Sequence, residues 1–335
     1  MKAMTLGSPA ELDTLALVDR AEPGAPGPGA IRVRIRASSL NFHDYAVATG
    51  MLPSTAGRVL MSDGAGVIEE TGAGVTEFAA GDHVVSTFFP TWLDGRTDIS
   101  DFSLTPGDGV DGYACEMVNA PATSFTHAPK NWSHAEAATL TCAGLTAWRA
   151  LVVNGGLKAG DIVLTMGTGG VSIFALQIAK AMGATVIATS SSDDKIERLK
   201  ALGGDHTINY RTTTNWGEEA HKLAQSRGVD HVVEIGGPGT LEQSFAAVRV
   251  GGHVSLIGIF TGLSGDVPTF ALMARQARLK GLIVGSRRHQ QDMVAAMEAT
   301  GIRPVIDRSF GLAELPDAFR HQETNRHFGK ICLEF

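Results

Sequence analysis

Cysteine is scarce in this chain: Cys115, Cys142 and Cys332 are the only three in 335 residues, and no two are neighbours in sequence. That argues against a disulfide framework and suits a reducing cytoplasm, the expected compartment. Neither CxxC nor HExxH occurs, so the commonest short zinc signatures are missing. Positive charge is in deficit too, with 28 Lys and Arg against 35 Asp and Glu, a net charge of −7 and no basic run. A nucleic-acid surface is therefore not expected. No apolar run reaches the roughly 20 residues of a transmembrane helix. Glu11, Asp13 and Asp19 interrupt the apolar positions of the N-terminal stretch, so neither a signal peptide nor a membrane partner is expected. What remains is a soluble globular composition, 44% hydrophobic and 19% charged, with a small molecule as the expected substrate.

At 335 residues the chain exceeds one ordinary core, so two domains are expected. One of them is arranged around residues 161–192. Residues 162–166 are an apolar run bounded by polar and glycine signals, as suits a strand buried on both faces. Gly167, Thr168, Gly169 and Gly170 make the turn that follows. Val171, Phe174, Ala175, Ile178 and Ala179 then recur at three-and-four spacing along a helix that Gly183 closes. A second apolar run at 185–189 stands where a parallel neighbour belongs. Strand, glycine turn, helix and strand form a dinucleotide cradle: glycine lets the backbone approach a pyrophosphate, and the free amides and dipole of the helix start attract the anion. Ser172 replaces the last glycine of the usual pattern and is small enough for close helix-on-strand packing.

Ahead of the cradle the pattern is all-β to about residue 121. Ile31, Val33 and Ile35 alternate with Arg32, Arg34 and Arg36 as in a half-exposed strand, and residues 64–70, 75–78 and 83–87 read as further short strands of a small barrel. Residues 88–112, rich in turn formers and carrying aromatics expected at the surface, read as a surface loop in preference to a substrate lid. Ser133 and Glu136 form a capping box that opens a helix over 133–154. Beyond the cradle, helices at 193–202, 218–225 and 241–248 alternate with strands at 206–208, 231–235, 253–259 and 282–286, which brings a doubly wound parallel sheet to six strands. A helix at 293–300 and the alternating Val305, Asp307 and Ser309 return to the barrel. The expected domains are 1–125, completed by 290–335, and 126–289.

Barrel, nucleotide domain and returning tail together resemble the medium-chain dehydrogenase/reductase superfamily. The phrases that carry the resemblance are LNFHDY at 40–45, SDGAGVIEETGAGVTEFAAGDHVV at 62–85, AATLTCAGLTAW at 137–148, GTGGVS at 167–172, GGHVSLIG at 251–258 and HFGKI at 327–331. It implies an α/β fold, a GroES-like β-barrel catalytic domain plus a Rossmann doubly wound parallel sheet. Zinc alcohol dehydrogenases of the superfamily carry Cys, a His-Glu pair and Cys where this sequence has Asn41, Ser62 with Asp63, and Cys142. Asn and Ser are poor zinc ligands, and a catalytic zinc takes about three protein ligands. The cysteine-rich lobe that binds structural zinc is missing as well. The chain is thus similar to the zinc-independent, quinone-oxidoreductase-like branch, and no metal is expected.

In NAD-preferring cradles an acidic residue at the end of the second strand holds the ribose 2′-hydroxyl. Ser190 fills that place, with Ser191 and Ser192 beside it. Hydroxyls donate to a 2′-phosphate, Lys195 adds positive charge, and Tyr210 resembles a family position that reaches the same phosphate. NADP(H) is therefore expected over NAD(H). Asp193 and Asp194 read as acids of a helix N-terminus, not as ribose contacts. For the whole cofactor site the resemblance implies Asn41, Thr146, Gly167, Thr168, Gly169, Gly170, Val171, Ser190, Ser191, Lys195, Tyr210, Gly236, Gly258, Ile259, Gly285 and Ser286.

Without a Lewis-acidic metal nothing obvious ionises a saturated alcohol, whereas hydride addition to a quinone or enone leaves an anion that hydrogen bonds can stabilise. The candidate catalytic residues are Asn41, His43, Asp63 and Cys142. His43 reads as a general acid or cofactor contact, or else as a packed histidine with a structural hydrogen bond. Asn41, like Asp44, reads as a loop-fixing hydrogen bonder, Asp63 as an electrostatic partner or a buried ion-paired carboxylate, and Cys142 as a small pocket-lining hydrophobe. The expected activity is NADPH-dependent reduction of a quinone or α,β-unsaturated carbonyl by a homodimer paired through the sheet edge at 282–286. The alternatives are an NAD(P)-dependent alcohol dehydrogenase acting without metal and a non-catalytic NADPH-binding sensor or structural protein.

Overall fold

The computed structural model describes residues 1–96, 99 and 101–335. Thr97, Asp98 and Ser100, part of the loop expected at 88–112, lie outside the described residues. Two compact units result, Met1–Leu145 with Val284–Phe335, and Thr146–Ile283. The borders fall at 145/146 and 283/284, where the sequence placed them at 125/126 and 289/290.

In the first unit β1 (Lys2–Thr5) pairs antiparallel with β2 (Ala16–Asp19). The larger sheet is built on β3 (Ala30–Ser39), flanked antiparallel by β4 (Ala65–Thr71) and β6 (Met117–Pro121), and β5 (His83–Ser86) and β7 (Phe125–His127) extend it beyond β4. Alternation along β3 is physical: Ile31, Val33 and Ile35 enter a core with Ile68, Phe78, Val84 and Phe125, while on the other face the half-buried Arg32 and Arg34 pair with Glu69 and Glu70 and Arg36 is exposed. Residues 75–78 are not a strand. Phe78 is buried there nonetheless, so its apolar signal marked burial and not extension. The aromatics of residues 88–112 also depart from expectation. Phe88, Phe89 and Trp92 are 1%, 6% and 4% exposed, turned into the unit and touching one another edge-on or tilted, which removes their apolar area from water.

Ser133 caps the helix His134–Ala138, with its hydroxyl accepting from Glu136 N and Glu136 accepting from Ser133 N at 2.8 Å. The helix expected to run on to 154 changes winding twice, to π over Leu140–Gly144 and Arg149–Asn154, with an α turn Leu145–Trp148 between.

The second unit holds β8 (Ile162–Met166), β9 (Thr185–Ser190), β10 (His206–Asn209), β11 (Val229–Glu234), β12 (Val248–Leu256) and β13 (Arg278–Gly281), all parallel in the order β10-β9-β8-β11-β12-β13. The order reverses between β8 and β11, the topological switch at which doubly wound sheets bind nucleotides. Every side chain of β8 is buried, as its unbroken apolar run requires. The sixth strand is Arg278–Gly281 and not 282–286. Its ladder follows β12 only to Leu256, opposite Gly281, and the apolar Leu282 beyond it is buried without belonging to a strand.

The tail returns to the first unit. The helix Arg287–Thr300 begins six residues before the position expected, and β15 (Lys330–Glu334) pairs parallel with β14 (Ile306–Gly311) and antiparallel with β3, Cys332 opposite Ser39. Among the described residues no helix is long and apolar enough to cross a membrane.

Candidate functional site

In the first unit β3 ends at Ser39 and the helix Phe42–Ala48 begins two residues later, with Asn41 as its N-cap. Asp44, one turn in, accepts from Asn41 N at 2.9 Å and Asn41 Nδ2 at 3.1 Å, and its other oxygen accepts from Ser62 N at 2.7 Å. A short polar loop is thereby locked to the segment carrying Asp63. Ser39 Oγ donates to Asp63 Oδ2 at 2.5 Å, and Ser38 Oγ to the Asp63 carbonyl at 2.6 Å.

Into this cluster β15 brings Lys330, a residue the sequence reading did not single out. Its ammonium donates to Leu40 O at 2.5 Å and Asn41 Oδ1 at 2.6 Å, and lies 3.6 Å from Asp63 Oδ2. Lys330 is 3% exposed and Asp63 fully buried. Burial pushes the Asp63 carboxyl up to about 6; the Lys330 ammonium and hydrogen bonds from Ser39 and Asn41 pull the other way, and the Asp44 carboxylate adds to the rise. Asp63 Oδ1 has no hydrogen-bond partner. One available signal was a lysine inside the apolar run 328–333, because a buried ammonium must find acceptors.

Among the described residues no group of three or more His, Cys, Asp or Glu is arranged to hold a metal ion. Both ends of the Asn41 amide are engaged, and the lysine ammonium already stands between Asn41 and Asp63. Cys142 lies on the π turn Leu140–Gly144, partly buried. His43 turns elsewhere: its Nε2 is 3.3 Å from Asp108 Oδ2, at an angle that makes no hydrogen bond, and its ring packs on Phe88 and Phe102.

In the second unit β8 gives way to Gly167, whose φ of +73° only glycine adopts without strain, and Gly169 caps the helix Gly170–Ala181. A Cβ on Gly169 would meet nothing within 4 Å, so the space beside the helix start is open, as a pyrophosphate cradle requires. Ser172 is buried and its Oγ donates to Met166 O at 2.6 Å, tying helix to strand where a glycine would only allow them to approach. Thr168 is buried and Val171 half-buried beside this turn, and Thr146 is buried in the turn Leu145–Trp148.

At the end of β9, Ser190 is buried with its Oγ accepting from Ser192 N at 3.3 Å, and Tyr210 N donates to Ser190 O at 3.0 Å. Ser191 and Lys195 are half-buried next to them, and Tyr210 is 40% exposed. Asp193 and Asp194 occupy the first helical turn, where Asp193 accepts from Asn209 Nδ2 at 2.7 Å. At the end of β11 the buried Glu234 accepts from Gly236 N, Gly237 N and Thr240 Oγ1 at 2.7, 3.0 and 2.7 Å, and from Ser244 Oγ, which shapes the loop carrying Gly236. Gly258 passes so close that a Cβ would lie 1.8 Å from Ile235 O, and Ile259 after it is exposed. Gly285 and Ser286 belong to the first unit. Ser286 is buried and caps the helix Arg287–Thr300, accepting from His289 N at 3.2 Å, and a Cβ on Gly285 would lie 3.0 Å from Leu145.

Residues 170–300 match the family of zinc-binding dehydrogenases, and residues 27–130 match the alcohol dehydrogenase GroES-like domain. A zinc-type alcohol dehydrogenase-like protein of Schizosaccharomyces pombe (strain 972 / ATCC 24843) is 42% identical over 322 residues, 93% of this chain and 92% of its own. Among solved structures, an NAD-dependent alcohol dehydrogenase matches with a TM-score of 0.90 and 34% identity over 100% of both chains. The quinone oxidoreductase of Pseudomonas syringae pv. Tomato DC3000 matches at 0.83 and 28%, covering 100% of this chain and 99% of its own.

Proposed function

The chain belongs to the medium-chain dehydrogenase/reductase superfamily and is a nicotinamide-dependent oxidoreductase; from that premise we propose that it is a zinc-independent, NADPH-dependent reductase of quinones or α,β-unsaturated carbonyls. The observation that carries the reading is Lys330, 2.6 Å from Asn41 Oδ1 and 3.6 Å from Asp63 Oδ2. A divalent cation within about 4 Å of that ammonium would meet a repulsion of several kcal/mol even at an effective dielectric near 20. Lys330 instead holds Asn41 and offsets the Asp63 charge. The loop that carries His43 is then fixed by hydrogen bonds alone.

When bound, NADPH supplies the hydride. The free amides at the start of the helix Gly170–Ala181 bind its pyrophosphate. Ser190, Ser191, Lys195 and Tyr210 favour the 2′-phosphate, since no carboxylate stands at the end of β9 to repel it. A homodimer is supported by β13, bonded on one side only, and by Leu263 and Phe270, 86% and 76% exposed in the segment leading to it. Light scattering at a monomer mass would refute that part.

NAD-dependent alcohol oxidation is the second reading, favoured by the names of the relatives. Turnover of 1,2-naphthoquinone, an enone and a primary alcohol with each nicotinamide, before and after chelation and with elemental analysis, separates the two. Quinone or enone reduction with NADPH that survives chelation is the expected result. Oxidation of the alcohol alone, or one zinc per subunit needed for turnover, would defeat the proposal.

A further inference from the structure

We propose that Asp108 and His43 form a proton-delivering pair beside a pocket of the first unit in which the Phe102 ring takes a flat, ring-bearing conjugated carbonyl; the inference rests on the reductase reading above. Asp108 is 9% exposed, and a carboxylate so far removed from water is costly unless a positive or donating group faces it. The facing group is the His43 imidazole, its Nε2 3.3 Å from Asp108 Oδ2.

The turn that presents Asp108 is closely packed. Gly107 has a φ of +84°, and a Cβ there would lie 2.7 Å from Met61 N; a Cβ on Gly109 would lie 2.1 Å from Ser103 O. Asp108 N donates to Thr105 O at 3.3 Å, and Ser54 Oγ donates to the Asp108 carbonyl at 2.9 Å. Backbone packed this tightly holds its carboxylate in one place.

His43 is held as firmly by apolar contact and left free in its polar bond. Its ring centroid is 4.6 Å from Phe102 and 5.4 Å from Phe88, yet Nε2 makes no hydrogen bond. Catalytic donors are often off-angle before the substrate arrives and align in the complex. Phe102 and Asp108 also line a cavity of about 440 Å³ with Leu52, Pro53 and Arg58. That volume lies within the range of small-molecule sites, and it sets the Phe102 ring beside the Asp108 carboxylate, the two lining groups that His43 touches. A planar quinone or aryl enone fits that chemistry better than a short aliphatic one.

The pair supplies a proton only. The N–H bond of the His43 imidazolium breaks, the O–H bond of the enol or hydroquinone forms, and the neutral imidazole regains its proton from solvent. The hydride, which carries both electrons of the reduction, comes from a dihydronicotinamide, which is oxidised as the carbonyl compound is reduced. Asp108 orients the imidazole and stabilises its cation, which makes it a positioning residue.

Asp108→Asn tests this in the full-length protein with NADPH and either 1,2-naphthoquinone or 4-phenyl-3-buten-2-one. A general acid contributes about 10²–10⁴-fold, and loss of the carboxylate that positions it should forfeit part of that, so kcat should fall about tenfold or more with the KM for the acceptor within about threefold. The solvent deuterium isotope effect on kcat should rise, and Asp108→Glu should recover part of the rate. His43→Ala should lose about 100-fold or more, the range for a general acid, and regain activity with added imidazole. Phe102→Ala should raise KM for the aryl enone more than for methyl vinyl ketone. Unchanged kcat and isotope effect in Asp108→Asn, or no imidazole rescue of a folded His43→Ala, overturns the pair; equal KM changes in Phe102→Ala overturn the ring-bearing substrate. If the wild type only oxidises alcohols, the reductase reading fails, and the pair is judged by whether Asp108→Asn slows that oxidation. A wild type inert to all three substrate classes overturns both.

Discussion

Replacing Lys330 by methionine removes one partner of a buried ion pair and keeps most of the side-chain volume. The ammonium lost is 2.5 Å from Leu40 O, 2.6 Å from Asn41 Oδ1 and 3.6 Å from Asp63 Oδ2, and Asp63 is fully buried. Removing one member of such a pair costs about 3–5 kcal/mol. The cost depends on pH. Asp63 is raised to about 6 from 3.8, so it opposes folding above about pH 6, and that opposition fades as pH falls through the folded value towards 3.8. Without Lys330 the carboxyl must take a proton in the folded state, at about 1.36 kcal/mol per pH unit above its unfolded value. The wild type already carries about 3 kcal/mol of that opposition at pH 8 and nearly all of it at pH 5, so protonation bounds the difference between the two proteins at roughly 3 kcal/mol at pH 8 and close to zero at pH 5, the lost hydrogen bonds to Leu40 and Asn41 adding to both. Urea unfolding of wild type and Lys330→Met should therefore differ by about 3–5 kcal/mol at pH 8 and by about 2 kcal/mol less at pH 5. Adding Asp63→Asn should restore most of the loss at pH 8, since neither charge then remains. A loss below about 1 kcal/mol at both pH values, or one that does not change between them, would refute the reasoning.

Lys195→Ala should raise the KM for NADPH by about tenfold or more, the worth of a hydrogen bond to a charged group, and move that for NADH less than about twofold; equal changes would count against a 2′-phosphate site. Gly169→Ala should fold with an unchanged melting temperature, since its Cβ enters open space, yet bind NADPH more weakly by fluorescence titration. Gly258→Ala, whose Cβ would meet Ile235 O at 1.8 Å, should instead lose more than about 3 kcal/mol or fail to accumulate as soluble protein. Burial, with Arg278, His231 and Lys280 adding to the effect, lowers His253 to about 4 from 6.5, so folding is opposed progressively as pH falls from 6.5 through about 4. His253→Phe should flatten the acid side of the stability profile by about 1–2 kcal/mol after allowance for solvent screening, and an unchanged slope between pH 4 and 6.5 would refute that assignment.

Much of the architecture was legible from local pattern. The cradle was readable because a buried strand, a glycine turn and a 3.6-residue helix each leave their own mark within 30 residues, and the capping box at Ser133 and Glu136 needed only three. Where the reading went astray, the pattern answered a different question from the one asked of it. Hydrophobicity reports burial, so residues 75–78 and 282–286 looked like strands although the ladder partners that define strands lie elsewhere. Turn formers at 88–112 did mark a loop, exposed along much of 91–96 and 101–104, but its aromatics are not at the surface: Phe88 packs on His43 and Trp92 on His289, contacts that no local pattern shows.

The amino-acid sequence by itself determined that a nucleotide fold follows a small barrel, and that the expected metal ligands are replaced, because both depend on residue types at short or motif-bound spacing. Only the tertiary structure decided that Lys330 reaches Asn41 across 289 positions of chain and that Asp108 faces His43. Contacts of that kind leave no periodic trace, since they arise from strands paired late in the chain and from a turn whose glycines fit only against Met61 and Ser103.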